Sequence, residues 1–421
     1  MATAKYPPTF FVIGTDRNIG KTVTSMGIVS KLTSDAVGFK ASEVGYIKPV
    51  GQQTSLIRTA QDENIEVDKD ILLFTELYKL RCRDYRAMSP VVWEGGYSEM
   101  FIDAATRGEL LEKREELCRR ICEAFEVVSE GKKVVVCEGT GQPGVGSVAG
   151  VSNGDVINLL KGMGVPVFTV LVARGGIGST IDRLFPHLLS MNCMDCQVDG
   201  MIVNAVRADK IEKVRDYLQR YYRDAFPLLY CGFTKVCSPP PILGLIPEVP
   251  ELEYPSMRLL AETFFDEQID LFRFTTASKP IESADWLVKG VKVLSLDHGF
   301  ESYLEDGDLV IVGINANDAI LSLLKENQRL KNEGRRGLAG LILSCSQAPG
   351  IKIETINAVA NSEVPTLVLP NDSADIVRRI VELSVKIQPY DVLKRKYVDK
   401  AYQNHLDFSW VTDWIRKASG D

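Results

Sequence analysis

The sequence predicts an α/β protein: a doubly wound parallel sheet covered by helices on both faces, followed by a second, smaller α/β domain. Short Val/Ile-rich runs without polar alternation recur along the chain, as in strands buried on both sides. Helix-length amphipathic stretches separate them, and that alternation calls for a parallel sheet. A glycine-bearing loop, Gly14-Thr-Asp-Arg-Asn-Ile-Gly-Lys-Thr22, stands between the first run and the first helix, the context that a phosphate loop requires.

In order, Thr9–Ile13 is a run of β-formers and Thr22–Leu32 is helical. Val44–Pro49 is a second strand, Glu109–Glu130 carries apolar residues at helical spacing, and Lys133–Cys137 is a third strand. Asp155–Met163 is helical with Asp155 as N-cap, Val165–Val172 is a fourth strand, Thr180–Ser190 a helix and Val198–Val206 a fifth strand. Pro239-Pro-Pro241, Pro247, Pro250 and Pro255 break the pattern. A helical pattern, Met257–Phe272, and a polar connection, Thr275–Glu282, follow. Alternation then resumes from Ala284: strands at Asp308–Val312, Leu338–Ser344 and Pro365–Pro370, and helices at Asp318–Glu326, Ile351–Asn361 and Ser373–Val385. The division expected is a P-loop domain over 1–255, a helical linker over 256–283, a small α/β domain over 284–388 and a helical tail over 389–421.

The 421 residues carry a formal charge of −7 without a basic stripe, which argues against nucleic acid as partner. The longest apolar runs, Val134–Cys137 and Val165–Ala173, are far short of a membrane span, and the N-terminus lacks the pattern of a signal peptide. Nine scattered cysteines fit reduced thiols in a cytoplasmic protein. Cys193 and Cys196 form a C-x-x-C that could make a zinc site with Cys231 and Cys237, or be buried thiols; Cys118 and Cys122 read as core. His187, His298 and His405 stand in no metal-ligand spacing and read as structural or surface residues.

The loop carries the strongest chemistry. Thr15, Asp16, Arg17, Asn18, Ile19 and Gly20 turn successive backbone N–H groups toward one concavity, and the helix that follows adds its positive dipole end. Gly20 lets the backbone approach phosphate, Lys21 reaches the β- and γ-phosphates, and Thr22 supplies a hydroxyl to Mg2+. The spacing is G-x5-G-K-T, one longer than the common loop, with Thr15 at the place of the usual first glycine. Glu138, at the carboxyl end of the third strand, is positioned for a Mg2+ carboxylate or for capping its own glycine-rich loop. Lys48 could neutralise a γ-phosphate or a substrate carboxylate, or be a solvated strand end. Arg174-Gly-Gly-Ile-Gly178 is a second loop at this edge, a substrate or subunit contact or only a turn. Asn204 has the donor and acceptor to read a nucleobase edge, or to bond its own turn.

Gly14-Thr-Asp…Gly-Lys-Thr22, Tyr46-Ile-Lys-Pro-Val50, Glu138-Gly-Thr-Gly141, Val203-Asn204 and Leu243-Gly-Leu-Ile-Pro247 come in the order seen in dethiobiotin synthetase. The chain resembles even more the dethiobiotin-synthetase-like N-terminal region of long phosphate acetyltransferases, where a P-loop domain precedes a small DRTGG domain. Asn315-Ala-Asn-Asp318 and Leu343-Ser-Cys-Ser346 stand where that domain writes its signatures, and the acetyltransferase catalytic domain that follows in those relatives is expected to be absent. The resemblance implies ATP and Mg2+ as cofactors, with Lys21 and Thr22 on phosphate and Mg2+, and Lys48 facing a carboxylated substrate. It implies Glu138 as a Mg2+ carboxylate, Asn204 as the adenine reader and Asp70 as the second Mg2+ carboxylate, with Asp62 and Asp68 as rivals. It also implies a homodimer with Gly175–Ser179 near the interface, and a substrate-side segment at Ser89-Pro-Val-Val92. Two functions are expected from this pattern. One is an ATPase or ATP-dependent ligase that activates a carboxylate-type small-molecule substrate by phosphoryl transfer. The other is a nucleotide-binding regulatory module that takes a small effector or acts on a partner enzyme such as an acyl or phosphate transferase.

Overall fold

The computed structural model describes residues 5–58, 63–93, 95–230, 239–264, 282–294 and 299–419. They form two compact units: Met1–Val249 together with Gln388–Asp421, and Pro250–Ile387. The strands of the first are β1 (Thr9–Gly14), β2 (Val44–Ile47), β3 (Val50–Gly51), β4 (Thr54–Arg58), β5 (Asn64–Asp68), β6 (Val91–Val92), β7 (Val134–Glu138), β8 (Val167–Arg174), β9 (Gly200–Val206) and β10 (Ile242–Pro247).

Six of these make one parallel sheet in the order β10-β9-β8-β1-β7-β2. Every residue of β1, β2 and β7 is buried, which is why these strands read as unbroken apolar runs. The P-loop therefore leaves the middle of the sheet. Parallel register brings Val12 level with Glu138, and Arg174 level with Asn204. The fold class expected from the sequence is the one observed.

The helix after the loop, Lys21–Leu32, is buried on nearly all sides rather than along one stripe. The helix Val392–His405 covers its second face. Tyr402 lies over Gly27, where an added Cβ would come within 2.1 Å of the tyrosine ring, and its hydroxyl pairs with Thr24 Oγ1 at 2.8 Å. Lys31 Nζ donates to Gln403 O at 2.7 Å. Residues 389–421, read from the sequence as a separate tail, are thus part of the P-loop unit, and the second unit is an insertion between β10 and this helix. Sequence pattern alone missed this because the contacts join residues more than 370 positions apart.

Between β2 and the helix Leu110–Ser129 the structure adds elements that the sequence pattern left unread. β3 pairs with β6, and β4 with β5 as an antiparallel ribbon. The helices Lys69–Leu77 and Tyr97–Arg107 lie among them. One cap differs from expectation. The helix Asn153–Gly162 starts at Ser152, whose Oγ accepts from Asp155 N while Asp155 accepts from Ser152 N. Asp155 completes this capping box from the third helical position instead of opening the helix.

The second unit holds a parallel sheet in sequence order, β11 (Gly290–Val293), β12 (Asp308–Gly313), β13 (Gly340–Ser344) and β14 (Thr366–Val368). Successive residues of β12 face opposite sides, as strand geometry requires. Val310 and Val312 pack with Ile320 and Leu323 of the helix Asn317–Asn332, while Leu309 and Ile311 pack with Met257 and Leu260 of the helix Met257–Phe264. The stretch expected as a linker therefore begins with a core helix of this unit, and 265–281 lie outside the described residues. At the signature positions Asn317 is a satisfied staple: it donates to Asn315 O and Gly350 O and accepts from Lys352 N and Thr355 Oγ1.

No helix among the described residues is long and apolar enough to cross a membrane.

Candidate functional site

The loop after β1 is anchored at both ends. Thr15 N donates to Val172 O at 2.9 Å, and Thr24 N to Gly20 O at 2.8 Å opens the helix. Gly20 adopts φ +92°, and a Cβ there would meet Asn204 Nδ2 at 1.9 Å. Glycine is required on both grounds. Asn18 also takes a left-handed φ, +54°, so Arg17, Asn18 and Ile19 curl the chain back toward Lys21. Lys21 Nζ donates to Asp16 O at 2.9 Å. Burial lowers its pKa, against the attraction of Glu138. A half-desolvated cation of this kind gains from an incoming anion.

Thr22 Oγ1 donates to Glu138 Oε1 at 2.8 Å, and Tyr46 OH to Glu138 Oε2 at 3.0 Å. Glu138 is 1% exposed. Burial and the nearby charge of Asp70 push its carboxyl pKa up, while Lys48 and Thr22 hold it down. Beside Glu138, Lys48 Nζ donates to Asp68 Oδ1 at 2.9 Å and to Asp70 Oδ2. Burial works against the lysine's charge, but the attraction of Asp70, Asp68 and Glu138 outweighs it, so its pKa is raised and it stays charged.

Two of the three acidic rivals, Asp68 and Asp70, hold Lys48 and separate by geometry. Asp68 is fully buried and its two oxygens accept from Lys48 Nζ, Asp70 N, Gln52 N and, more weakly at 3.4 Å, Gln53 N. It caps the helix Lys69–Leu77 and packs against Gly51, which has no room for a side chain. A carboxylate so saturated has no lone pair to give a metal. Asp70, in the first turn of that helix, is 16% exposed along its side chain. Asp62 lies outside the described residues.

Two further residues at this edge were given no role at the site by the sequence reading. Tyr46 precedes Lys48 by two on an extended segment, and that spacing was the available signal, since it puts both on one face. Its ring stacks on Phe74 at 3.7 Å. His187, read as structural or surface, lies in the helix Ile177–Cys193 and meets Thr15 O through Nε2 at 2.8 Å. No local pattern announces it. Asn204 Nδ2 donates to Ile19 O at 3.0 Å instead of to its own turn. Gly175 takes φ +118° and Gly176 caps the helix that holds His187.

Of the four cysteines in the zinc reading, only Cys193 and Cys196 are among the described residues. Cys193 is exposed, and Cys196 is buried and donates to Gly154 O and Asn158 Oδ1. Cys231, Cys237 and His298 lie outside the described residues, among which no group of three or more His, Cys, Asp or Glu side chains could hold a metal ion.

Comparison with known proteins gives the family. Residues 8–256 match the AAA_26 family, an AAA domain of the P-loop class. The chain belongs to this family. It is similar to phosphate acetyltransferase of Pseudomonas putida, 25% identical over 409 residues, which is 96% of this chain and 51% of that protein. Phosphate acetyltransferase of Synechocystis is 21% identical over 408 residues, again 96% and 51%. ATP-dependent dethiobiotin synthetase of Clostridium kluyveri is 26% identical over 204 residues, 47% of this chain and 75% of the synthetase. The chain thus spans about half the length of the phosphate acetyltransferases it matches.

The site fits a nucleotide with a divalent cation. Mg2+ takes hard oxygen ligands and draws much of its shell from phosphate and water. The paired Thr22 hydroxyl and Glu138 carboxylate, with Asp70 near them, offer oxygens of that kind, and Lys21 at the start of its helix would meet a phosphate.

Proposed function

We propose that the P-loop unit binds Mg-ATP and passes the γ-phosphoryl group to a carboxylate-type small molecule. The observation that carries this is the contiguous set Lys21, Thr22, Glu138 and Lys48, joined by the Thr22–Glu138 bond and by the shared field of Glu138, Asp70 and Lys48. Sheet order supports a direction. From β1 the edge runs one way through β8 to Asn204 at the end of β9, the side of the base. It runs the other way through Glu138 on β7 to Lys48 after β2, the side of the acceptor.

Phosphoryl transfer is mostly positioning and electrostatics. Lys21 holds the β- and γ-phosphates. Lys48, kept protonated by its carboxylate neighbours, orients the acceptor carboxylate and offsets the charge that builds on the transferring group. Thr22, Glu138 and Asp70 would hold Mg2+, which when bound neutralises the phosphate oxygens. The segment Gly175–Ser179, a bend and the first residues of the helix Ile177–Cys193, serves a homodimer contact, and the protein works in the cytoplasm.

A second reading has support in the phosphate acetyltransferase similarity, where the matching region is half of the protein. In it, nucleotide binding regulates a partner enzyme of that kind, and the DRTGG-like second unit takes a small effector.

Nucleotide binding and Mg-dependent phosphate release by the purified chain, beside Lys21→Ala, test both. Binding with phosphate release stimulated by a carboxylate supports the enzyme. Binding without turnover supports the regulator, which pull-down with and without ATP then checks. Absence of nucleotide binding overturns both.

A further inference from the structure

We infer that His187 and Asn204 are positioning residues that hold the phosphate loop in its binding shape by capturing backbone carbonyls on its outer side. This rests on the loop's being a phosphate site.

A loop that turns its N–H groups inward must turn carbonyls outward, and buried carbonyls need donors. Three side chains meet loop carbonyls here, two of them carbonyls of the buried residues Thr15 and Ile19. His187 Nε2 meets Thr15 O at 2.8 Å, Lys21 Nζ meets Asp16 O at 2.9 Å and Asn204 Nδ2 meets Ile19 O at 3.0 Å. A carbonyl only accepts, so the proton of His187 sits on Nε2 and the amide nitrogen of Asn204 faces the loop. Lys21 is the residue that turns to phosphate when a ligand arrives, and its bond to Asp16 is then given up. His187 and Asn204 remain, one near each end of the loop.

Asn204 is aimed by features with a cost. Ala205, next to Asn204, has φ +50°, and the β9–β10 register shifts there. A left-handed alanine persists only where its surroundings hold it. Gly20 gives up a Cβ at the point where the Asn204 amide passes. One hydrogen of the Asn204 amide is engaged on the loop; the second hydrogen and Oδ1 are not used there.

The test uses the full chain, without Mg2+, and compares binding of inorganic tripolyphosphate with binding of ATP and GTP. Wild type is set beside Asn204→Ala, His187→Ala and His187→Gln. The two alanine variants are expected to weaken tripolyphosphate and ATP alike, each by about tenfold, the weight of one hydrogen bond near charge. His187→Gln, which keeps a donor, is expected to regain most of it, and this rescue separates positioning from a fold defect. Asn204→Ala that weakens ATP but leaves tripolyphosphate unchanged overturns the inference in favour of base reading. Alanine at 187 without effect on either ligand, or an equal loss with glutamine, overturns it for His187. A wild type that binds neither overturns the nucleotide reading itself, and the inference with it.

Discussion

The Thr22 hydroxyl donates to Glu138 across 116 residues of chain at 2.8 Å, joining the P-loop helix to the end of the neighbouring strand. In P-loop chemistry the same two groups share a cation. Glu138→Gln keeps the shape, and keeps an acceptor for Tyr46. It is expected to cut the gain in ATP affinity on adding Mg2+ by at least about tenfold while leaving metal-free binding in place. Titrations with ATP at rising Mg2+ check this, and an unchanged metal dependence removes Glu138 from the metal site.

Asp68 and Asp70 both hold Lys48, but their losses should differ. Asp68→Ala leaves Lys48 paired with Asp70 and strands the Gln52 and Asp70 amides, which should cost about 2–4 kcal/mol of stability. Asp70→Asn retains an acceptor for Lys48, so it should fold normally and lose metal-dependent binding. Denaturant midpoints beside Mg2+ titrations read both. A stable Asp68→Ala protein with a metal defect would exchange their roles.

Gly27 and Tyr402 give a test of the returning C-terminal helix. Alanine is better than glycine in a helix by about 1 kcal/mol, yet at 27 its Cβ would strike the Tyr402 ring. Gly27→Ala should therefore destabilise by about 1–3 kcal/mol, as overpacking does. In a Tyr402→Ala background the same change should be neutral or stabilising. Equal effects in both backgrounds, measured as a double-mutant cycle, would show that the helix does not pack there.

Burial holds His187 below its ordinary pKa of 6.5, against the pull of the Thr15 carbonyl and Asp16. Between that lowered value and 6.5 the unfolded chain binds more protons than the folded one. Stability from this group is therefore complete above 6.5 and declines as pH falls. Unfolding midpoints at about pH 7.5 and about pH 5.5 should show a smaller acid loss for His187→Gln than for wild type. Parallel losses would place the acid sensitivity elsewhere.

Much of the first unit could be read in advance because its signals are local. Apolar runs mark strands buried on both faces, and a loop followed by a helix marks phosphate chemistry. Lys21, Thr22, Lys48 and Glu138 were legible because each ends a strand or opens a helix at the carboxyl edge of a parallel sheet. The β3–β6 and β4–β5 pairs were not, since two- and five-residue strands carry too little periodicity. Asp68 and Asp70 looked alike on the chain, and only their hydrogen bonds distinguish a saturated cap from a more exposed carboxylate.

By itself the sequence determined the strand–helix alternation, the phosphate loop and the residue types that surround it, because these depend on neighbours a few positions apart. The tertiary structure decided which distant groups share that site. His187 and Asn204 reach the loop carbonyls from the helix after β8 and the end of β9. Tyr402 closes the P-loop helix from beyond the second unit. Such contacts follow from strand order and from space left by glycines, and neither is written in the local periodicity of the chain.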